Sequence, residues 1–581
     1  MRVPTGSMGW RRYLPFTDWL LHYQARDWPG DVMAGIVAGI MLVPQSMAYA
    51  LLAGLPAQMG LYASIAPLAV YALLGSSRTL SVGPVAVISL MVAAGLEPLA
   101  EVGSPHYLQL ALGLALLVGG IQVGMGVLRW GWVANFLSHA VISAFTTASA
   151  ILIALGQLKH LLGVKIPNHE SVLALLRDLW GSLDQVNPPT LLLGLGAISL
   201  LLYANFKLSS HLRRWGVPTG WILPISKAAP LLVVIITTVL AGGLRLADGF
   251  GVAVVGSIPA GWPPLTFPIL PWQDWGALLP IALTISLVSF TESYAVGQSL
   301  ASKKRQKVDP NQDLLGLGVA NLAAALTGGF PVTGGISRSA VNFAAGANTG
   351  LASLITAGLV ALTVLLLMPL FFWLPQATLA ATILVAVVGL IQFQPLLDLW
   401  RYDRADAGVW LATFLGVWLV GVEAGIGLGV MVSLLLFLWR SSHPHIAIVG
   451  QVPGTEHYRN RLRHAVITYP KILAVRVDES LFFANAAYLE NYLLQQVIEQ
   501  PEVKHLLLIG SAINAIDASA LESLIKLIEK LREMGVTFSI AEIKGPVMDR
   551  LKSIGFVEII GANHIFLSTH QAIQTLLRQP E

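Results

Sequence analysis

The stretch Gly328–Asn342, "GGFPVTGGISRSAVN", sets four glycines, a proline and one arginine between two apolar runs. Proline removes an N–H donor and glycine loosens the backbone, so a helix cannot run through it unbroken. In lipid such a break leaves polar backbone without water, and it is tolerated only where it lines a cavity or is buried in protein. A guanidinium near the bilayer centre costs at least about 2.5 kcal/mol. Arg338 therefore needs a partner at that depth.

That the surroundings are lipid follows from composition. Of 581 residues 55% are hydrophobic and 11% charged, and mean hydropathy is +0.70, against roughly 25% charged in a soluble protein. The charges concentrate after about Pro444, so a membrane part precedes a water-soluble one. Domains are expected at 31–441 (membrane), 442–465 (linker) and 466–581 (soluble), after a cytoplasmic segment 1–30. The absence of cysteine excludes disulfides, thiol catalysis and Cys-ligated metals. No cleavable signal is expected, because Arg2, Arg11 and Arg12 lead into the polar, aromatic "WLLHYQARDWPGD".

Runs of about 20 apolar residues, fewer for a half-helix, predict fourteen spans from 31–53 to 423–439, with short ones at 83–97 and 337–348. Basic residues collect in alternate loops: Arg78; Arg129; Lys207, Arg213 and Arg214; "KKRQK" at 303–307; Arg401 and Arg404; Arg440. The other loops hold only Lys159, Lys165, Arg177 and Arg245. By the positive-inside rule both termini are cytoplasmic, and "KKRQK" is a membrane anchor, not a nucleic-acid patch.

The chain also repeats itself. "QMGLYASIAPLAVYALLGSSRTLSVGPVAV" from Gln58 lies without gaps on "QDLLGLGVANLAAALTGGFPVTGGISRSAV" from Gln312, pairing Thr79 with Thr333. "VPQSMAYA" at Val43 pairs with "FTESYAV" at Phe290, setting Gln45 opposite Glu292. Partner spans are seven apart, so the halves enter the membrane in opposite senses, as in the inverted repeat of a secondary transporter. In each half a Thr-containing extended stretch precedes a half-helix, expected to begin near Gly83 and Ser337. Two facing helix N-termini offer unpaired N–H groups and partial positive charge, a setting for an anion. Arg338, flanked by Ser337 and Ser339, fits there as the anion's partner; the alternative is a snorkelling or salt-bridged arginine.

"VPQSMAYALLAGLPAQMGLY", "SVGPVAVISLM", "VVGSIPAGWP", "TESYAVGQSLA" and "PVTGGISRSAVN", in this order before a terminal soluble domain, resemble the sulfate permease (SulP) family of anion transporters. The resemblance implies a core domain and a gate domain moving against each other, a homodimer, and a cytoplasmic STAS domain. It implies a substrate site lined by Gln45, Tyr49, the amides of Val85 and Ala86, Glu292, and Ser337 with Arg338. Several animal members carry Phe where this chain has Val85, which widens the pocket here. Val296, one turn after Glu292, stands where sodium-coupled members carry a hydroxyl, and argues against sodium.

Glu292 reads two ways. It is a structural carboxylate paired with a base or capped by Thr291 and Ser293, or it takes up a proton in low dielectric and neutralises itself. Its repeat partner Gln45 cannot ionise, so one titratable group beside an anion site would suffice for proton-coupled import.

After Arg440, "SSHPHIAIVGQVPGTEHYRN" reads as linker and first strand. Strands and helices then alternate from Ile472, giving a small α/β domain. "AIDASALESL" resembles the STAS signature, whose bacterial regulators carry a phosphorylatable serine at the position of Ser519. Ser519 and Glu522 also match a capping box.

The expected protein is an inner-membrane, proton-coupled importer of a sulfate-like anion, with no cofactor and no nucleic-acid partner. Alternatives are a dicarboxylate or bicarbonate transporter, an anion exchanger, and a membrane-tethered STAS regulator. No His cluster, metal spacing or nucleophile motif points to an enzyme.

Overall fold

In a computed structural model, residues 14–136, 138–164, 166, 172–257 and 261–578 are described. Arg2, Arg11, Arg12, Lys165 and residues 258–260 of "VVGSIPAGWP" lie outside them. The chain divides into Met1–Ser433 and Leu434–Glu581.

Among the described residues of the chain, eight helices are long and apolar enough to cross a membrane: Trp28–Leu52, Ala57–Leu74, Pro105–Val127, His139–Leu162, Pro188–Arg214, Trp221–Gly243, Trp272–Lys303 and Ala424–Ser442. Shorter apolar helices are Ala86–Leu96, Leu351–Leu366 and Gln376–Val388. Each of the fourteen expected stretches contains helix.

Their starts are written in the sequence. Ser104 accepts from Tyr107 N ahead of Pro105, Asn187 from Thr190 N ahead of Pro188, and Asp309 from Asn311 N and Gln312 N ahead of Pro310. Each pairs a capping side chain with a proline whose missing N–H would have been unsatisfied anyway. Helices in lipid pack through small residues. A Cβ on Gly119 would lie 2.8 Å from Gly318 O, and one on Gly318 would lie 2.9 Å from Gly119 O, so Pro105–Val127 and Pro310–Leu326 touch backbone to backbone.

Several expectations need correction. The span Ala57–Leu74 carries a turn at 63–65 between its helical pieces Ala57–Tyr62 and Ala66–Leu74, with Pro67 opening the second piece. The half-helices are Ala86–Leu96 and Ile336–Ala344, so the first starts three residues past Gly83. The gapless repeat slips. From helix start to half-helix start the first copy runs 57 to 86 and the second 310 to 336, three residues shorter. β1 (Val82–Gly83) pairs antiparallel with β2 (Thr333–Gly334), Val82 to Gly334 and Gly83 to Thr333, so the place in the first copy equivalent to Thr333 is Val82 and not Thr79. Antiparallel pairing is what halves of opposite sense require.

The second unit holds a six-stranded sheet in the order β4-β3-β5-β6-β7-β8. Its strands are β3 (Ile446–Gln451), β4 (Tyr458–Asn460), β5 (Ile472–Val477), β6 (His505–Ile509), β7 (Thr537–Ala541) and β8 (Ile565–Phe566). β5 to β8 are parallel, while β3 and β4 form an antiparallel edge. Two strands thus lie inside the expected linker 442–465; the apolar run in "IAIVGQ" has its four middle residues buried. Helices Phe483–Glu499 and Ala518–Glu533 pack on one face through Leu489, Leu493, Leu524 and Leu527. The expected capping box is absent. Asp517, not Ser519, caps Ala518–Glu533 by accepting from Ala520 N, because the helix starts one residue before Ser519. Glu522 pairs with Lys526 instead. Ser519 is exposed in the first turn, the helix end at which phosphate charge is favoured.

Candidate functional site

Each half-helix follows directly from one of two strands paired head to tail, so their N-terminal ends meet. Val85 (φ −136°, ψ 142°) and Gly335 (φ −87°, ψ 123°) are the extended residues preceding them, and neither helix has a side-chain cap. Ala86 opens one and Ser337 lies in the first turn of the other. The leading amides of both have no intrahelical acceptor.

Arg338 sits at this meeting point, 2% exposed. Its Nη1 donates to Pro84 O at 2.9 Å, immediately before the first half-helix. Its Nε and Nη2 are buried without any hydrogen-bond partner. A Cβ on Gly83 would lie 3.3 Å from Nη2 and one on Gly335 2.8 Å, so the glycines of the crossing leave the guanidinium its space. Buried donors of a charged group left unpaired cost more than a typical hydrogen bond contributes. A bound anion would satisfy them.

The neighbouring serines differ. Ser339 is engaged with backbone on both sides: its hydroxyl donates to Gly335 O at 2.7 Å and accepts from Ser81 N at 2.9 Å. It holds the crossing together. Ser337 is exposed and shares a cavity of about 80 Å³ with Gln45, Met41, Asn205, Ser226, Lys227 and Thr382. Gln45 follows Pro44 inside Trp28–Leu52, where the missing N–H frees a carbonyl one turn back.

Glu292 and Tyr49 do not line that cavity. Tyr49 is buried in an apolar cluster with Met47, Leu61 and Ala86, within electrostatic reach of Arg338 and Glu292. Glu292 lines a separate pocket of about 20 Å³ with Val141, Phe145, Val288 and Ile426. Its carboxylate makes no hydrogen bond or ion pair with any described residue. The hydroxyls expected to cap it bond elsewhere, Thr291 to Leu287 O at 2.7 Å and Ser293 to Thr333 Oγ1 at 2.7 Å. The same three elements, His139–Leu162, Trp272–Lys303 and the start of Val422–Ser442, also line a cavity of about 810 Å³ that holds Glu97, Lys159 and His160.

Several residues that position the site escaped the sequence reading. Asn321 Oδ1 accepts from Val332 N at 2.8 Å, and Asn321 Nδ2 donates to Gln122 Oε1 at 3.0 Å. Gln122 Nε2 donates to Ser289 Oγ at 2.7 Å, and Gly334 N to Ser293 Oγ at 2.8 Å. This neutral network pins β2 to three helices. Asp31 accepts from Asn348 N and Thr349 Oγ1, each at 2.7 Å, and Asp313 from Tyr71 OH at 2.9 Å and Ser76 Oγ at 2.8 Å. Lys227 was also missed. The available signal was a polar residue inside an apolar run.

Residues 29–413 match the sulfate permease family, and residues 464–572 match the STAS domain. The chain is 37% identical over 555 residues to a probable sulfate transporter 4.2 of Arabidopsis thaliana, covering 94% of this chain and 80% of that one. It is 34% identical over 585 residues to a probable sulfate transporter of Mycobacterium tuberculosis, covering 99% and 100%. The fold is similar to that of the murine solute carrier 26 family member A9 anion transporter in its inward-facing state, with TM-score 0.91, 26% identity, and 100% and 96% of the two chains covered.

Proposed function

The chain belongs to the sulfate permease family, and from that premise we propose that it imports sulfate together with protons by alternating access. It is a multi-pass membrane protein and an anion transporter, not an enzyme. The observation that carries the reading is Arg338: two buried guanidinium nitrogens without partners, at the meeting of two uncapped half-helices. An oxyanion would accept from Nε and Nη2, a geometry that suits a fork of parallel N–H bonds. It would accept further from the first-turn amides and from Ser337, with Gln45 across the cavity.

Proton coupling rests on Glu292. Its carboxylate has no bonded partner among the described residues and lies within electrostatic reach of Arg338. A charge so placed weakens the site's hold on an anion, and neutralising it by protonation strengthens that hold. The large cavity along the same helices supports proton access to Glu292 by a route other than the anion's. The protein works in a bacterial-type inner membrane with both termini cytoplasmic, as a pair of identical chains. Sulfate uptake into proteoliposomes, with bicarbonate and dicarboxylates as competitors, tests the reading. Uptake that sulfate does not compete for, or that needs no protein, overturns it.

A further inference from the structure

The cavity shared by Gln45 and Ser337 has a second wall, built by Thr219–Gly243 and by the end of Pro188–Arg214. Its polar members are Asn205, Ser226 and Lys227. Ser226 is occupied, its hydroxyl 2.9 Å from that of Ser209. Lys227 is half-buried and makes no hydrogen bond or ion pair with any described residue. It is also the sole ionisable residue in "TGWILPISKAAPLLVVIITTVLAGG". An ammonium in such a helix is expensive and marks an ion path more often than a structural need. Pro224 and Pro230, three residues to either side, each remove an N–H from the helix around it.

We propose that Lys227 is the second cation of the anion site, and that it sets the preference for divalent over monovalent oxyanions. The inference rests on the transport reading given above and deepens it. On the half-helix side the positive charge is one guanidinium, already donating to Pro84, plus about half a charge from each helix end. An ionised Glu292 within electrostatic reach brings that sum from about two charges to about one, which suits a monovalent anion. A divalent anion needs another full charge, and the opposite wall supplies it at Lys227. Lysine suits the position because its ammonium is a point charge on a flexible stem, able to follow the anion without imposing a fork. Arg338 follows Ser337 directly, and Ser337 lines the cavity opposite Lys227, so an anion reaching from Arg338 to Lys227 bridges the two walls and makes its second bond only when they are close.

The experiment uses the full chain in proteoliposomes, with labelled sulfate as the divalent probe and nitrate as the monovalent competitor, for parent, Lys227→Met and Lys227→Arg. Removing one charge-assisted bond should raise the sulfate KM about tenfold or more. Nitrate inhibition should be unchanged in Lys227→Met, and Lys227→Arg should restore most of the sulfate affinity. A sulfate KM equal to the parent's in a stably folded Lys227→Met overturns the proposal. So does an equal loss for both anions accompanied by a lower melting temperature, which would make Lys227 a packing residue. A parent chain that binds nitrate but no divalent oxyanion sinks the sulfate reading itself, and this inference falls with it.

Discussion

Arg338, on the second half-helix, donates from Nη1 to the carbonyl of Pro84 at the foot of the first, 2.9 Å away. One guanidinium thereby ties the inverted halves together and leaves two nitrogens without a partner, the pair proposed above to hold the anion. Arg338→Ala should therefore weaken sulfate binding at least about tenfold, by the loss of charge-assisted bonds of about 1.5–3 kcal/mol each, and should abolish the rise in melting temperature that bound sulfate gives the parent. Titration calorimetry and thermal unfolding of the purified protein read the two effects. Unchanged affinity in the variant would remove Arg338 from the site.

Glu292→Gln mimics a permanently protonated carboxyl. Uptake by the parent should rise as external pH falls, with sodium unable to substitute, while the variant should exchange anions without responding to an inward pH gradient. Initial rates with and without a pH step, in both proteins, decide it. A variant with a full response leaves Glu292 a structural carboxylate.

The place at which the soluble unit is cut should matter. β3 and β4 precede residue 466 and belong to the sheet, so a chain ending at 465 would expose β3 with its partner β5 gone, a template for aggregation. Ending at Ser442 removes the whole sheet. The shorter chain should stay monodisperse and bind sulfate, and the chain ending at 465 should aggregate; size-exclusion chromatography separates the two outcomes.

The soluble unit carries its own pH dependence. Burial works against the charge on Asp478, but hydrogen bonds accepted from Arg476 Nη2 at 2.9 Å and from His445 Nδ1 at 2.7 Å outweigh it and hold the carboxyl below its ordinary value. Stability from a depressed carboxyl is present above its unfolded-state value of about 3.9 and is lost as pH falls through the folded one. Asp478→Asn should cost about 1–2 kcal/mol at pH 7, with the gap to the parent closing as pH drops below about 4. Denaturant titrations at several pH values check the sign.

Much of this was legible in the sequence because lipid leaves few options. An apolar run of membrane length has to be helix, and a Gly/Pro break at depth has to be covered, so "GGFPVTGGISRSAVN" located β2, the second half-helix and Arg338 together. Register was less legible. Thr79 and Thr333 look equivalent in a gapless overlay, but three residues fewer in the second copy move the place equivalent to Thr333 to Val82. Ser519 misled for a related reason: S-x-x-E fits a capping box, yet Asp517 reaches Ala520 N first. The Gln122–Ser289–Asn321 network could not be read at all, since its members sit on separate helices and meet only through packing.

The crossing of β1 and β2 limits how the protein can move. Gly335 N donates to Ser81 O at 2.9 Å, Ser81 N to Ser339 Oγ at 2.9 Å, and Arg338 to Pro84. Helix ends stitched in this way cannot part like jaws to let go of what they hold. On the transport reading proposed above they would travel as one carriage with the anion aboard, release toward either compartment would depend on how far the carriage slides, and a side chain that shortens the stroke would slow turnover without loosening the grip.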